Sequence, residues 1–198
     1  MEIDSAAFAN IATDFGKIVL ALDDMGVRLA DGFGDNVPEI TPENVWFNGL
    51  SKCGHRKNSE VSIPWPSDKA TGGVGSSVTA VSGHWFAGSL LDKRCCNGDC
   101  SYETMNFPRV MPKERYMQAG TEPRNLGLWF ACCKTAYRPY DVAVTAFLII
   151  AKHQLRTKIA VASDGVDCNW EDGRQLCQQI LDYGAPYHID AEGDLQYV

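Results

Sequence analysis

Cys53-x-His55 and Cys95-Cys96-x3-Cys100 are the residues whose types and spacing come nearest to a recognisable chemistry. A structural zinc site takes sulfur and imidazole ligands in two pairs, each pair on a tight knuckle with about two to four residues between its members. Cys96 and Cys100 have three residues between them, and Asn97-Gly98-Asp99 can form such a knuckle. Cys53 and His55 have only Gly54 between them, which is tighter than the usual pair. Cys53, His55, Cys96 and Cys100 are therefore the candidate metal ligands, with zinc the candidate cofactor. The competing reading makes them free thiols, since cysteine is commonly buried as a small hydrophobe.

A second constellation surrounds a very apolar helix expected to start near Pro139. Lys134, Thr135, Arg138 and Tyr140 precede or open it. The first amides of a helix have no internal partner, so a phosphate or carboxylate can bind there. Thr135, Arg138 and Tyr140 form the candidate anion-binding set, with Arg138 able to clamp an anion bidentately. The plainer alternative pairs Arg138 with Asp141. Asp164 follows an expected strand at 158–163, in the place where open sheets carry functional groups. If that turn and the basic loop share a crevice, Asp164 acts as base or metal ligand and Lys134 stabilises developing charge. Cys132 and Cys133 adjoin Lys134, which could lower a thiol pKa. A nucleophilic cysteine would also need a base brought in by folding, His84 or His55.

Residues 134–165 form the organising stretch: a basic loop, the apolar helix, a short connection and a strand. Upstream, Phe8, Ile11, Phe15, Ile18, Leu22 and Met25 recur at three- and four-residue steps, which predicts an amphipathic helix. Asp4 or Ser5 can cap it. Residues 44–50 read as a strand with Val45 and Phe47 on one face and Trp46 on the other. Asn48-Gly49 there signals a hairpin or a tight strand exit. Further strands are expected near 61–65, 78–81, 85–91, 102–107 and 126–131. Another helix should start near Trp170, capped by Asn169, with Cys177, Ile180 and Leu181 inward. A hairpin over 187–189 and 195–197 closes the chain. The fold class that follows is α+β: a single domain with a mixed or mostly antiparallel sheet packed against about three helices. Residues 1–30 form a helical segment, 44–133 a strand-rich middle, and 134–198 a helix-strand-helix-hairpin end. The tryptophans fall in sequences that read as sheet core or its rim.

The chain has 198 residues, eight cysteines and a net charge of −7. Residues 1–43 carry nine acids and two bases, 44–138 twelve bases and seven acids, and 139–198 four bases and nine acids. The overall sign argues against general nucleic-acid binding, while the basic middle can meet an anionic ligand or pair with its own flanks. The acidic start is unlike a secretory signal, and adjacent cysteine pairs are awkward to bridge, so a reduced, cytoplasmic protein is expected. The longest apolar run, at 142–151, is too short to span a bilayer, which needs about 20 residues; no membrane association is expected. No nucleotide-binding fingerprint, HExxH, GxSxG elbow or deaminase motif is present. The look is that of a bacterial or phage protein. Its expected work is protein interaction, homo-oligomerisation or the binding of a small anionic ligand. The alternative is a hydrolase or transferase acting on a phosphate- or carboxylate-bearing substrate.

Overall fold

The structure, a computed structural model, describes residues 2–55, 60–61, 94–96, 98–111 and 130–198. The strands expected at 78–81 and 85–91 lie outside the described residues, as do 62–65 of the one near 61–65, 126–129 of the one near 126–131, and His84; Phe130 and Ala131 are described and belong to no strand.

Helix α1 (Ser5–Asp24) is the predicted amphipathic one: Phe8, Ile11, Phe15, Ile18 and Leu22 are all buried. The Asp4 carboxylate accepts from the Ala7 amide at 2.9 Å. Such a cap contributes about 1 kcal/mol. By length and composition alone α1 could cross a membrane. In the fold its apolar stripe is a core face instead; Lys17 is exposed, and Asp14, at the border of that face, accepts from Gln154 at 3.1 Å and from the Tyr183 hydroxyl at 2.8 Å.

Strands β1 (Leu29–Ala30), β2 (Glu39–Ile40), β3 (Asn44–Gly49) and β6 (Met105–Pro108) form a four-stranded sheet around β3. Strands β2 and β6 flank β3, and β1 pairs with its last two residues, all antiparallel. The period-two pattern holds: Val45 and Phe47 face the core with Met105 and Phe107. Trp46, on the other face, meets the edge of Phe33 at 5.1 Å. Strands β4 (Glu60–Val61) and β5 (Arg94–Cys95) make an antiparallel ribbon. Strands β7 (Tyr187–Ile189) and β8 (Leu195–Tyr197) make the predicted terminal hairpin.

Helix α2 (Asp141–Leu155) is buried almost all round, from Val142 through Ala151 with Leu148 only partly so. A helix apolar on every side belongs at a centre, and α2 lies between α1 and α3 (Glu171–Leu181). Five phenylalanines lock the layers together. Phe15 meets Phe47 at 4.8 Å and Phe147 at 5.1 Å, Phe107 meets Phe147 at 5.3 Å, and Phe8 stacks on Phe107 at 5.9 Å. Offset and edge-on pairs like these add about 0.5–1.5 kcal/mol each beyond the area they bury. The architecture is α+β, with antiparallel sheets packed against three helices.

Of the two readings of Asn48-Gly49 the strand exit holds: β3 ends there, β1 pairs with it, and the Asn48 side chain is spent on the Gly49 amide and on Tyr102 and Thr104. Two local expectations need correction. The strand over 158–163 shrinks to one bridge, Ala162 with Asp194. Arg156 ends α2 at φ 55° and opens a 3-10 turn, Arg156–Lys158, which takes the first residue of that segment. Asn169 does not cap α3. It sits inside a 3-10 turn (Asp167–Trp170) and accepts from the Val166 amide at 2.9 Å, so α3 begins at Glu171.

Candidate metal centre

Two loops at one end of the β4–β5 ribbon carry the cysteine and histidine set. The chain leaves β3 at Gly49, passes Cys53 and His55, and enters β4; β5 then delivers Cys96. A tight turn follows, with the Asp99 amide donating to the Cys96 carbonyl at 2.8 Å. Asp99 Oδ1 stiffens it by accepting from the Ser101 amide at 2.8 Å and hydroxyl at 2.6 Å. Each loop reverses through a glycine in the left-handed region, Gly54 at φ 79° and Gly98 at φ 86°. A side chain there would clash with the following carbonyl.

These loops bring one ligand atom from each of Cys53, His55, Cys96 and Cys100 within 4.8 Å of one another. The Cys53 and Cys96 sulfurs lie 3.7 Å apart. His55 Nδ1 lies 3.5 Å from both Cys96 Sγ and Cys100 Sγ. A tetrahedral zinc ion with Zn–S near 2.3 Å and Zn–N near 2.05 Å requires about 3.8 Å between sulfurs and about 3.6 Å from sulfur to nitrogen. The cluster is therefore compatible with zinc, and too open for a disulfide, whose sulfurs sit about 2.05 Å apart. Cys96 and Cys100 are buried; Cys53 and His55 reach towards solvent.

Burial raises the Cys53 thiol pKa, but hydrogen bonds from the His55 amide and the neighbouring thiols outweigh it, and the net shift is downward. Burial drives Cys100 the other way, well above the usual thiol range, with Cys53 and Cys96 adding to the effect. A bound cation would favour the thiolate form of each cysteine ligand.

The second loop is fastened to the body of the protein at three points. The Cys100 amide donates to the Leu50 carbonyl at 3.1 Å. Its own carbonyl lies so close to Gly49 that a Cβ there would come within 2.0 Å of the oxygen. Arg138 Nη1 donates to the Asp99 carbonyl at 2.7 Å. Two residues before Cys96, the Arg94 guanidinium is 1 % exposed. It pairs with Asp141 at 3.4 Å and with Asp172, and lies over the Tyr137 ring. Burial works against its charge, yet the two carboxylates more than compensate and its pKa is raised. Arg94 thus ties the ribbon to the first turns of both α2 and α3.

The expected anion set is occupied internally. Thr135 Oγ1 donates to Asp141 at 2.6 Å, so the positive end of α2 already holds a carboxylate of its own chain. Tyr140 is fully buried, and its hydroxyl donates to the Glu103 carbonyl at 2.7 Å. Arg138 braces Asp99 rather than Asp141. Lys134 is exposed, with its amide donating to Glu103 at 2.7 Å. Asp164 lies in the turn before Gly165, and among the described residues it shares no hydrogen bond or ion pair with Lys134. Cys133 does not gain acidity from Lys134: burial pushes its thiol up to about 12, and it donates to the Glu103 carbonyl at 3.3 Å.

Sequence offers no reason to pair Arg94 with Asp172, which reads there only as an acid in the first turn of a helix. A single arginine before a cysteine pair, and one carboxylate among several near 164–172, carry no spacing signal. A cleft of about 270 Å³ opens beside the metal candidate, lined by Val27, Leu50 and Pro139, by Arg28 and Lys52, and by Cys53, His55 and Cys100. Compared with protein-family models, with curated proteins and with solved structures, the chain matches none of them.

Proposed function

We propose that the protein is a zinc-binding interaction domain, in which Cys53, His55, Cys96 and Cys100 hold one Zn²⁺ as a closed structural site. The observation that carries the reading is metric: three of the six ligand spacings, one sulfur–sulfur at 3.7 Å and two sulfur–nitrogen at 3.5 Å, fall within about 0.1 Å of what a tetrahedral ion demands, and all four ligand atoms lie within 4.8 Å of one another. Bound zinc would join two loops that are far apart in sequence and fix them on β3. Structural zinc contributes about 10–16 kcal/mol of apparent binding energy in small domains. The site keeps three thiols reduced, which suits the cytoplasm.

Zinc with three thiolates and one imidazole carries a net charge of −1. Lys52 on the adjoining cleft offsets that charge, beside Arg28, which is paired with Asp23 at 3.4 Å. That lysine supports a partner presenting a carboxylate, as the alternative to a purely apolar contact at Val27, Leu50 and Pro139.

Elemental analysis of protein purified without a metal-affinity step tests the reading. About one zinc per chain, lost on chelation together with thermal stability, is the expected result. Protein that contains no zinc, and whose melting temperature does not change when zinc is added, would overturn it. A labelled hexaglutamate peptide should bind the zinc-loaded protein in a salt-dependent way and lose binding in Lys52→Glu.

A further inference from the structure

The four ligands differ in how solvent reaches them. Cys96 is fully buried and Cys100 nearly so, whereas Cys53 is half-buried and lines the open cleft. Its sulfur lies 3.7 Å from that of Cys96, and His55 sits 3.5 Å from Cys96 and from Cys100 on the other side of the cluster. The accessible thiolate thus has an inaccessible one within van der Waals contact. Gly54 and Gly98 give both loops the backbone freedom to close the remaining distance to a disulfide, about 1.7 Å.

Building on the zinc reading, we propose that Cys53 and Cys96 form a peroxide-reactive pair, which takes a small hydroperoxide through the cleft and releases the metal as it becomes a disulfide. The Cys53 thiolate attacks one peroxide oxygen. The S–O bond forms, the O–O bond breaks, and hydroxide departs. The Cys96 thiolate then attacks the Cys53 sulfur, the S–S bond forms, and the sulfenic oxygen leaves as a second hydroxide. Two thiolates have lost two electrons, the peroxide has gained them, and solvent protonates both hydroxides. Zn²⁺ retains only His55 and Cys100, too few ligands for a structural site. With the ion gone, the 98–100 turn keeps its bonds to Leu50 and Arg138 and its contact with Gly49 but loses its link to the Cys53–His55 loop, so its surface changes with redox state.

The closing experiment treats the zinc-loaded full chain with hydrogen peroxide. Released metal is followed with a chromogenic chelator, and the linkage is mapped by fragmentation of non-reduced peptides. We expect one zinc released per disulfide, fragment ions that join Cys53 to Cys96, and recovery of the metal on adding a phosphine reductant with zinc. The Cys132→Ser/Cys168→Ser double variant, which removes two exposed thiols far from the cluster in sequence, should release zinc at the wild-type rate. Zinc that is bound but stays in place under peroxide, or a linkage that excludes Cys96, overturns the pair while leaving the metal site standing. A chain that never takes up zinc overturns both. Loss of release in the double variant shows oxidation to begin elsewhere and also overturns the pair.

Discussion

Replacing Gly49 with alanine should weaken zinc binding without touching a ligand. The added Cβ would lie 2.0 Å from the Cys100 carbonyl oxygen and 2.6 Å from its carbon, where ordinary contact begins at 3.4 Å. Strand β3 and the Cys100 loop must therefore separate by about 1.4 Å, and neither partner is a flexible side chain that could swing aside. A zinc ligand set tolerates roughly 0.2 Å in its distances. Overpacking of this kind costs about 1–3 kcal/mol, and if the strain is taken up at the loop it appears as about 5- to 150-fold weaker zinc binding. Competition against a chromophoric chelator reads the affinity, and thermal unfolding with and without zinc separates it from general destabilisation. The matched control is Gly16→Ala, where a Cβ meets nothing within 4 Å. In the middle of α1 it should stabilise the fold by about 0.5–1 kcal/mol and leave the metal untouched. A Gly49→Ala protein with wild-type zinc affinity would mean that the Cys100 loop does not rest on β3, and the account of how the site is held would fail.

Other perturbations probe the supports. Arg94→Met removes the guanidinium from the Asp141 and Asp172 carboxylates, and leaving buried charge uncompensated should cost about 3–5 kcal/mol in urea unfolding; a loss under 1 kcal/mol would count against the pairing. The acid limb of the stability curve should depend on Asp167. Burial raises its pKa, but hydrogen bonds from Arg174 and the Ile189 amide outweigh that, and the net shift is downward. A folded pKa below the unfolded value means that the group stabilises the fold above the ordinary aspartate pKa, and that this contribution disappears as pH falls through the lower, folded value. Asp167→Asn should accordingly flatten the loss of stability below about pH 4; an unchanged acid limb would remove Asp167 from the explanation.

The helices and the terminal hairpin were legible because their signals are local. Six apolar residues at helical spacing specify α1, and two short alternating runs around Glu192-Gly193-Asp194 specify β7 and β8. The four candidate ligands were legible too, since cysteine and histidine spacing survives without knowledge of the fold. The fastening of the site was not. Asn48-Gly49 carries the dipeptide of a hairpin, yet tertiary contact overrode it: the glycine is needed because another backbone crosses there. At the start of α2 the side chains expected to meet an anion are engaged within the chain, for a related reason. Propensity and charge locate a helix start, but only folding shows that Thr135, Asp141 and Arg94 satisfy one another at it.

The Cys53–Cys96 contact spans 43 positions of chain. With metal in place the corner behaves as a crosslink, and the chain-entropy estimate for closing a loop of that length is about 4 kcal/mol. The same relation is nearly indifferent to length, since doubling the intervening stretch adds only about 0.6 kcal/mol. Chain-closure entropy alone therefore sets little limit on the length of the stretch between the two metal-bearing turns, provided that β4, β5 and Arg94 keep their places and both ends still return to the same ion.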